Sequence, residues 1–366
     1  MYSTYMSNTS PKSTKRPSSA RTSSDSLRRG WTTGSCATAA VKSAVHALIY
    51  GTFLDPVTIT LPKGQAVSFA LSSETLTETC ATASVIKDAG DDPDITHGAS
   101  VVVSVTQTAH HRGIEFAAGP GVGTVTRPGL PIAVGEPSIT PVPREMMCQA
   151  IREIVPDGGF RVTISIPGGE EMASKTMNPR LGVIGGLSIL GTTGVVVPYS
   201  CASWIHSIHR GIDVAKAAGL DHVIGCTGAT SEKRAQQHYA VTDQALLDMG
   251  DFAGGLLKYI RVHPIPRLTI AGGIGKLAKL ARGEMDLHSA RSQVDIAYLA
   301  SLANNPDVLA AETAAQALLI DPTLGDKVAK AAASAAQKVA GEEVSVDTLV
   351  VTREGQLVGT WKASQQ

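Results

Sequence analysis

Several short stretches gather side chains of types that do chemistry. Residues 28–40, "RRGWTTGSCATAA", set two arginines and a series of hydroxyls ahead of a run of small helix formers. The first amide groups of a helix lack partners within it and carry the positive end of its dipole, so a helix beginning near Ala37 would receive an anion there. Arg29, Thr32, Thr33, Gly34 and Ser35 are the expected binders, with Arg28 adding charge at the mouth. The alternative is a helix capped by Ser35 with no ligand. "KDAGDDPDITHG" collects Asp88, Asp91, Asp92 and Asp94 with His97, at spacings unlike those of an EF-hand. Asp88 and Asp91 are the candidates there for a general base or a cofactor contact; a turn of Asx caps and solvated charge is the other reading. "SWIHSIHRGID" places Trp204, Ile205, Ile208 and Ile212 on one helical face and His206, His209, Arg210 and Asp213 on another. His206 is a candidate acid or base and Arg210 a candidate partner for substrate carboxylates. No third ligand accompanies His206 and His209, so no metal site is read.

Glycine-rich turns are the second resource. "GGLSILGTTG" offers Gly185, Gly186, Gly191, Thr192, Thr193 and Gly194, where backbone can approach a cofactor and hydroxyls can bond to it. Thr227 and Gly228 in "GCTGAT", and Gly272, Gly273 and Gly275 in "AGGIGK", are secondary candidates on the same sheet edge. "AGGIGKL" is not a P-loop, since Ile270 and Leu277 occupy two of its defining positions. Gly119, Gly121 and Gly123 in "IEFAAGPGVGTV" form a rival turn, but five prolines between 128 and 143 follow it where a helix would be needed. That segment reads as a long loop.

These residues need elements to hold them. Apolar positions from Ala37 to Ile49 recur at helical spacing, and strand-like alternation appears at residues 57–61, 67–71, 101–105 and 161–166. After residue 178 three units, "RLGVIGGLSILGTTG", "DHVIGCTGATSEKRA" and "RLTIAGGIGKLAKLA", each read as strand, glycine turn and helix. The fold class expected is therefore α/β with α+β: a mixed α+β domain over 28–177 and a Rossmann-like α/β domain with a largely parallel sheet over 178–366. Ligands of such sheets bind beyond the carboxyl ends of the strands. The closing "VDTLVVTREGQLVGTW" reads as a hairpin turning at Glu354 and Gly355. Residues 1–27, rich in Ser, Thr and basic side chains, are expected to be a disordered tail.

Composition narrows the function classes. Lys+Arg and Asp+Glu both total 32, so the basic field of a nucleic-acid binder is missing and no nucleic-acid partner is expected. No apolar run reaches the roughly 20 residues of a bilayer span, so no membrane is expected and the cytoplasm is the default location. Five isolated cysteines fit neither a disulfide framework nor a zinc pair, and Cys36 reads as a small buried side chain.

Together, "RRGWTTGSCATAA", "KDAGDDPDITHGA", "IPGGEEMASKTMNPRLGVIGGLSILGTTGVVVP", "GDFAGG" and "TIAGGIGKLAKLARGEMDLHS" closely resemble the cobalt-precorrin-5B C1-methyltransferase family of the anaerobic cobalamin pathway, in order from Arg28 to about Ser289. The resemblance implies methyl transfer from S-adenosylmethionine to carbon C1 of a ring-contracted tetrapyrrole, giving cobalt-precorrin-6A. The cobalt would arrive in the macrocycle and not in a protein site. The chain departs from the family pattern at Val197, where an acidic residue is expected. Distributed anion partners suit a substrate bearing several carboxylates, and a homo-oligomer is left open. Two other readings stand beside this one: a small-molecule kinase using the glycine turns as phosphate cradles, against which the incomplete fingerprints count, and a non-catalytic corrinoid carrier.

Overall fold

The computed structural model describes residues 27–109 and 113–363, so the expected tail lies, except for Leu27, outside the described residues. Helix α1 (Thr33–Tyr50) starts four residues earlier than the apolar periodicity indicates, with Thr32 as its N-cap. Residues 33–41 are buried on every side, because Ala37, Ala39, Ala40 and Ala44 are small enough for neighbours to close around the whole helix. α1 lies on a five-stranded sheet made of β1 (Ser73–Leu76), β2 (Cys80–Ile86), β3 (Ser100–Thr108), β4 (Ile114–Ala118) and, after helix α2 (Pro141–Arg152), β5 (Gly159–Ser165). The order is β1-β2-β3-β5-β4, antiparallel except for the parallel β5/β4 pair. Residues 57–60 and 66–69 form a separate hairpin.

The second half begins with helix α3 (Cys201–Ala217). It continues through β6 (His222–Cys226), α4 (Ala229–Tyr239), β7 (Leu246–Asp248), α5 (Ala253–Val262), β8 (Arg267–Gly273) and α6 (Ile274–Ala281), and ends with α7 (Leu324–Ala340), β9 (Ser345–Val351) and β10 (Leu357–Trp361). The sheet order is β7-β6-β8-β9-β10, the first four strands parallel and β10 antiparallel, as the largely parallel sheet and closing hairpin require. Side chains alternate between two cores. Ile224, Leu246, Ala271 and Leu349 meet α4 on one face, whereas Val223, Leu247, Ile270 and Val350 meet α3, α5, α6 and α7 on the other.

One expected unit is corrected. "RLGVIGGLSILGTTG" does not join the parallel sheet of the second half: residues 183–184 pair antiparallel with 124–125, and residues 186–187 pair parallel with 121–122 in a separate two-stranded ladder. The helix that follows, α3, starts only at Cys201, because Gly185, Gly191 and Gly194 take positive φ values of 89°, 136° and 80° that turn the chain at each step before it. Leu187 and Ile189 are buried in the core of α1 and the first sheet, and Ile208 in that of the second. Two domains, with the division read at 178, remain our proposal; the core partners change between Ile189 and Ile208. Among the described residues no helix is long and apolar enough to cross a membrane.

Candidate functional site

The structure brings two expected sites against each other. At the start of α1 the Gly34 amide donates to the Leu190 carbonyl (3.1 Å), the Ser35 amide to Thr32 Oγ1 (3.2 Å) and the Ser35 hydroxyl to the Gly194 carbonyl (2.7 Å). Thr33 Oγ1 accepts from the Leu190 amide at 3.0 Å. Thr32, Thr33 and Ser35 are buried, so the open anion cradle expected at this helix start is corrected: residues 188–194 cover it and use its donors. A Cβ at Gly191 would stand 2.3 Å from Thr32 Oγ1, and one at Gly194 2.6 Å from Leu61. These glycines serve packing. Thr193 bonds locally to residue 195, Gly186 packs on the Gly121 backbone, and of the candidate glycines and threonines in that stretch only Thr192 and Gly185 are exposed. At the rival turn, a Cβ on Gly119, Gly121 or Gly123 would strike Ser165, Ile166 or Val183. Burial pushes the Cys36 thiol up to about 12, in keeping with an inert packing role.

The acidic loop is likewise committed. Asp88 receives the Arg28 guanidinium and the Gly90 amide, and Asp91 receives the Arg28 amide. The Arg28 bond, followed by the Gly90 amide, lowers the Asp88 carboxyl to about 2. Such a group is a weak base at neutral pH. Because its folded value lies below the ordinary ~3.9 of an unfolded chain, the pair stabilises the protein above about pH 4 and loses that effect as pH falls toward 2. Denaturation midpoints of Asp88→Asn and the parent should therefore differ at pH 7 and converge in acid. Lys87, almost fully buried, is paired with Asp94 at 2.6 Å. Asp92 accepts from the Tyr199 amide at 2.8 Å, tying this loop to the start of α3.

On α3, Ile208 and Ile212 are buried as expected, but Trp204 is 46% exposed. Its helical turn overhangs the sheet edge, where the indole N–H donates to the Asp248 carbonyl at 3.0 Å. His206 lies two residues on, a rotation of about 200° that aims it away from that edge. Partial burial, Arg210 and His209 lower its pKa, so it is neutral near pH 7. Arg210 is paired with Asp213 at 2.8 Å and donates to the Tyr259 hydroxyl at 3.3 Å. That corrects its assignment as a free carboxylate partner.

The open ground lies at the carboxyl edge of the parallel sheet. β6 sits between β7 and β8; the turn after β6 leads to α4 on one face, and the turn after β8 leads to α6 on the other. Chains diverging this way leave a crevice where α/β sheets bind ligands. Thr227 and Gly228 line one side, Gly272 and Gly273 the other. A Cβ at Gly228 would meet no heavy atom within 4 Å, and one at Gly273 would meet only the Val351 carbonyl, at 4.0 Å. Gly275 has ordinary space around it, whereas Gly272 packs against Thr227. Gly228 caps α4 without a side chain, leaving the first amides of that helix directed outward.

Charged groups ring this crevice. Lys276 bonds to the Thr227 carbonyl (3.2 Å) and pairs with Asp251 (2.8 Å); Arg180 forms two bonds to Glu232, at 2.9 and 2.6 Å. Asp248, half-buried at the end of β7 and in register with Cys226, has its carboxyl raised by burial and then by Glu232. The sequence reading missed this residue. A signal was present: an acid 20 residues beyond a strand-end glycine is the spacing that places a carboxylate on a ribose.

Comparison with known proteins adds an independent finding. A family model described as CbiD matches residues 20–198. A protein of Paramagnetospirillum magneticum named cobalt-precorrin-5B C(1)-methyltransferase is 53% identical over 348 residues, spanning 91% of this chain and 98% of its own. A protein of the same name from Brucella anthropi is 54% identical over 349 residues, spanning 91% and 95%. The crystal structure of a cobalamin biosynthesis protein (cbiD) from Archaeoglobus fulgidus is 26% identical, covering 78% of this chain and 82% of that one with a TM-score of 0.37.

Proposed function

Since the chain belongs to the CbiD family, whose relatives carry the name cobalt-precorrin-5B C1-methyltransferase, we propose that it transfers a methyl group from S-adenosylmethionine to C1 of cobalt-precorrin-5B in cobalamin biosynthesis. The cobalt belongs to the substrate. The observation that carries the cofactor's placement is the open space at Gly228 and at Gly273, on the ends of adjacent parallel strands, with a half-buried carboxylate on the next strand. Asp248 would accept bonds from ribose hydroxyls, the amide groups at the start of α4 would receive the methionine carboxylate, and Gly228 and Gly273 would let the backbone come close. When bound, S-adenosylmethionine supplies an electrophilic methyl group. The chain's contribution is then positioning, since holding reactants in line accounts for ~7–11 kcal/mol of a barrier in favourable cases. A cytoplasmic location accompanies this reading as an expectation, and a homo-oligomer is left open.

The test is to incubate the protein with methyl-labelled S-adenosylmethionine and cobalt-precorrin-5B and locate the label. Label at C1 is expected; binding of the tetrapyrrole without product would favour a carrier. For the site, Asp248→Ala should weaken S-adenosylhomocysteine about tenfold, the effect of losing hydrogen bonds to a charged group. Calorimetry measures it, and an unchanged Kd would remove Asp248 from the site.

A further inference from the structure

Resting on the methyl-transfer reading, we infer that one face of the tetrapyrrole lies on an exposed apolar ledge of Val197, Tyr199 and Trp204, with a peripheral carboxylate of the macrocycle held by Arg29. These three side chains fall within eight residues and are 45%, 67% and 46% exposed. Apolar surface gathered in this way marks an interaction site more often than isolated exposed residues do. The backbone supports that view at Tyr199. It has φ 55°, in the left-handed region that a bulky residue seldom adopts, and its amide is fixed on Asp92. Strained residues of this kind concentrate where a side chain is presented to a ligand.

Charge decides which ligand fits. Residues 30–31 pair antiparallel with 195–196, Gly30 opposite Val196, which sets Arg29 opposite Val197 at the end of the ladder. Arg28 is taken by Asp88, but among the described residues Arg29 forms no ion pair, and it is exposed. Exposed apolar side chains close together in the chain, with this guanidinium across the ladder from one of them, suit a flat ring bearing carboxylates around its edge. Placement relative to the cofactor agrees. Trp204 donates to the Asp248 carbonyl, and its indole lies 3.5 Å from where a Gly250 Cβ would stand, so the ledge abuts the strand-end crevice. A ring resting there has an edge directed at the cofactor's place. Val197 thereby gains a role despite its departure from the acidic residue expected at this position, since an acid beside Arg29 would compete for the guanidinium.

The experiment uses the full chain carrying Tyr199→Gly or Arg29→Gln. Glycine adopts φ 55° freely, so Tyr199→Gly removes the ring without straining the turn. Each variant is expected to raise KM for cobalt-precorrin-5B about tenfold, with an unchanged Kd for S-adenosylhomocysteine and unchanged Tm, and Arg29→Lys should recover part of the loss. An unchanged KM in both variants overturns the ledge. So does a smaller oligomeric state than the parent's with KM unchanged, which would show that a second copy of the chain covers the patch. If the parent protein binds the tetrapyrrole without methylating it, the methyl-transfer reading fails by itself; the variants' Kd for the tetrapyrrole then tests the ledge, a rise of about tenfold supporting it and no change refuting it.

Discussion

Gly228→Val is expected to weaken S-adenosylhomocysteine binding by about a hundredfold or more while leaving Tm where it was. Two facts make it discriminating. The backbone at Gly228 is extended, with φ 161° and ψ 170°, a conformation a β-branched residue tolerates, and the added Cβ meets no heavy atom within 4 Å. The new side chain should therefore fit the fold while occupying the space between the turns after β6 and β8. A hundredfold loss corresponds to about 2.7 kcal/mol, within what displacing a cofactor from a close backbone approach can cost. Calorimetric titration read beside a melting curve supplies both halves of the result. Unimpaired binding with an intact fold would mean that the cofactor lies elsewhere on the chain.

Gly30→Ala should lower stability by about 3 kcal/mol, the upper end of what overpacking a tight site costs. A Cβ there would stand 2.0 Å from the Ala89 carbonyl carbon, and one on the adjacent Gly90, whose φ is 68°, would stand 2.2 Å from the Arg28 carbonyl oxygen. These obstacles are backbone, so no rotamer change relieves them. The Trp31 amide donates to the Asp88 carbonyl at 2.7 Å and the Asp91 amide to Arg28, so moving the strand away would break the bonds that hold the acidic loop. Chemical denaturation measures the loss. A midpoint equal to the parent's would show that the two segments can separate without cost, and the account of "RRGW" as a close-packing motif would fail.

Local pattern was enough for several elements. Alternation over residues 57–60, 100–108 and 159–165 reflects side chains that point to opposite faces of one strand, a property of the segment alone. The closing hairpin was equally legible, since Gly355 with φ 82° supplies the turn that the intervening residues need. The family, too, could be read from motifs spread in order along the chain. The glycines could not be sorted in this way. Gly121 and Gly194 let protein approach protein, whereas Gly228 and Gly273 leave room for something else, and both uses ask the same thing of the residue: no side chain. Arg28 and Arg29 are neighbours of one type, yet a loop 60 residues away neutralises the first and, among the described residues, leaves the second without an ion pair. A residue's type and local conformation are written in its own segment; what surrounds it is supplied by chain brought in from a distance, and only folding sets which amides, glycines and guanidinium groups remain available to a ligand.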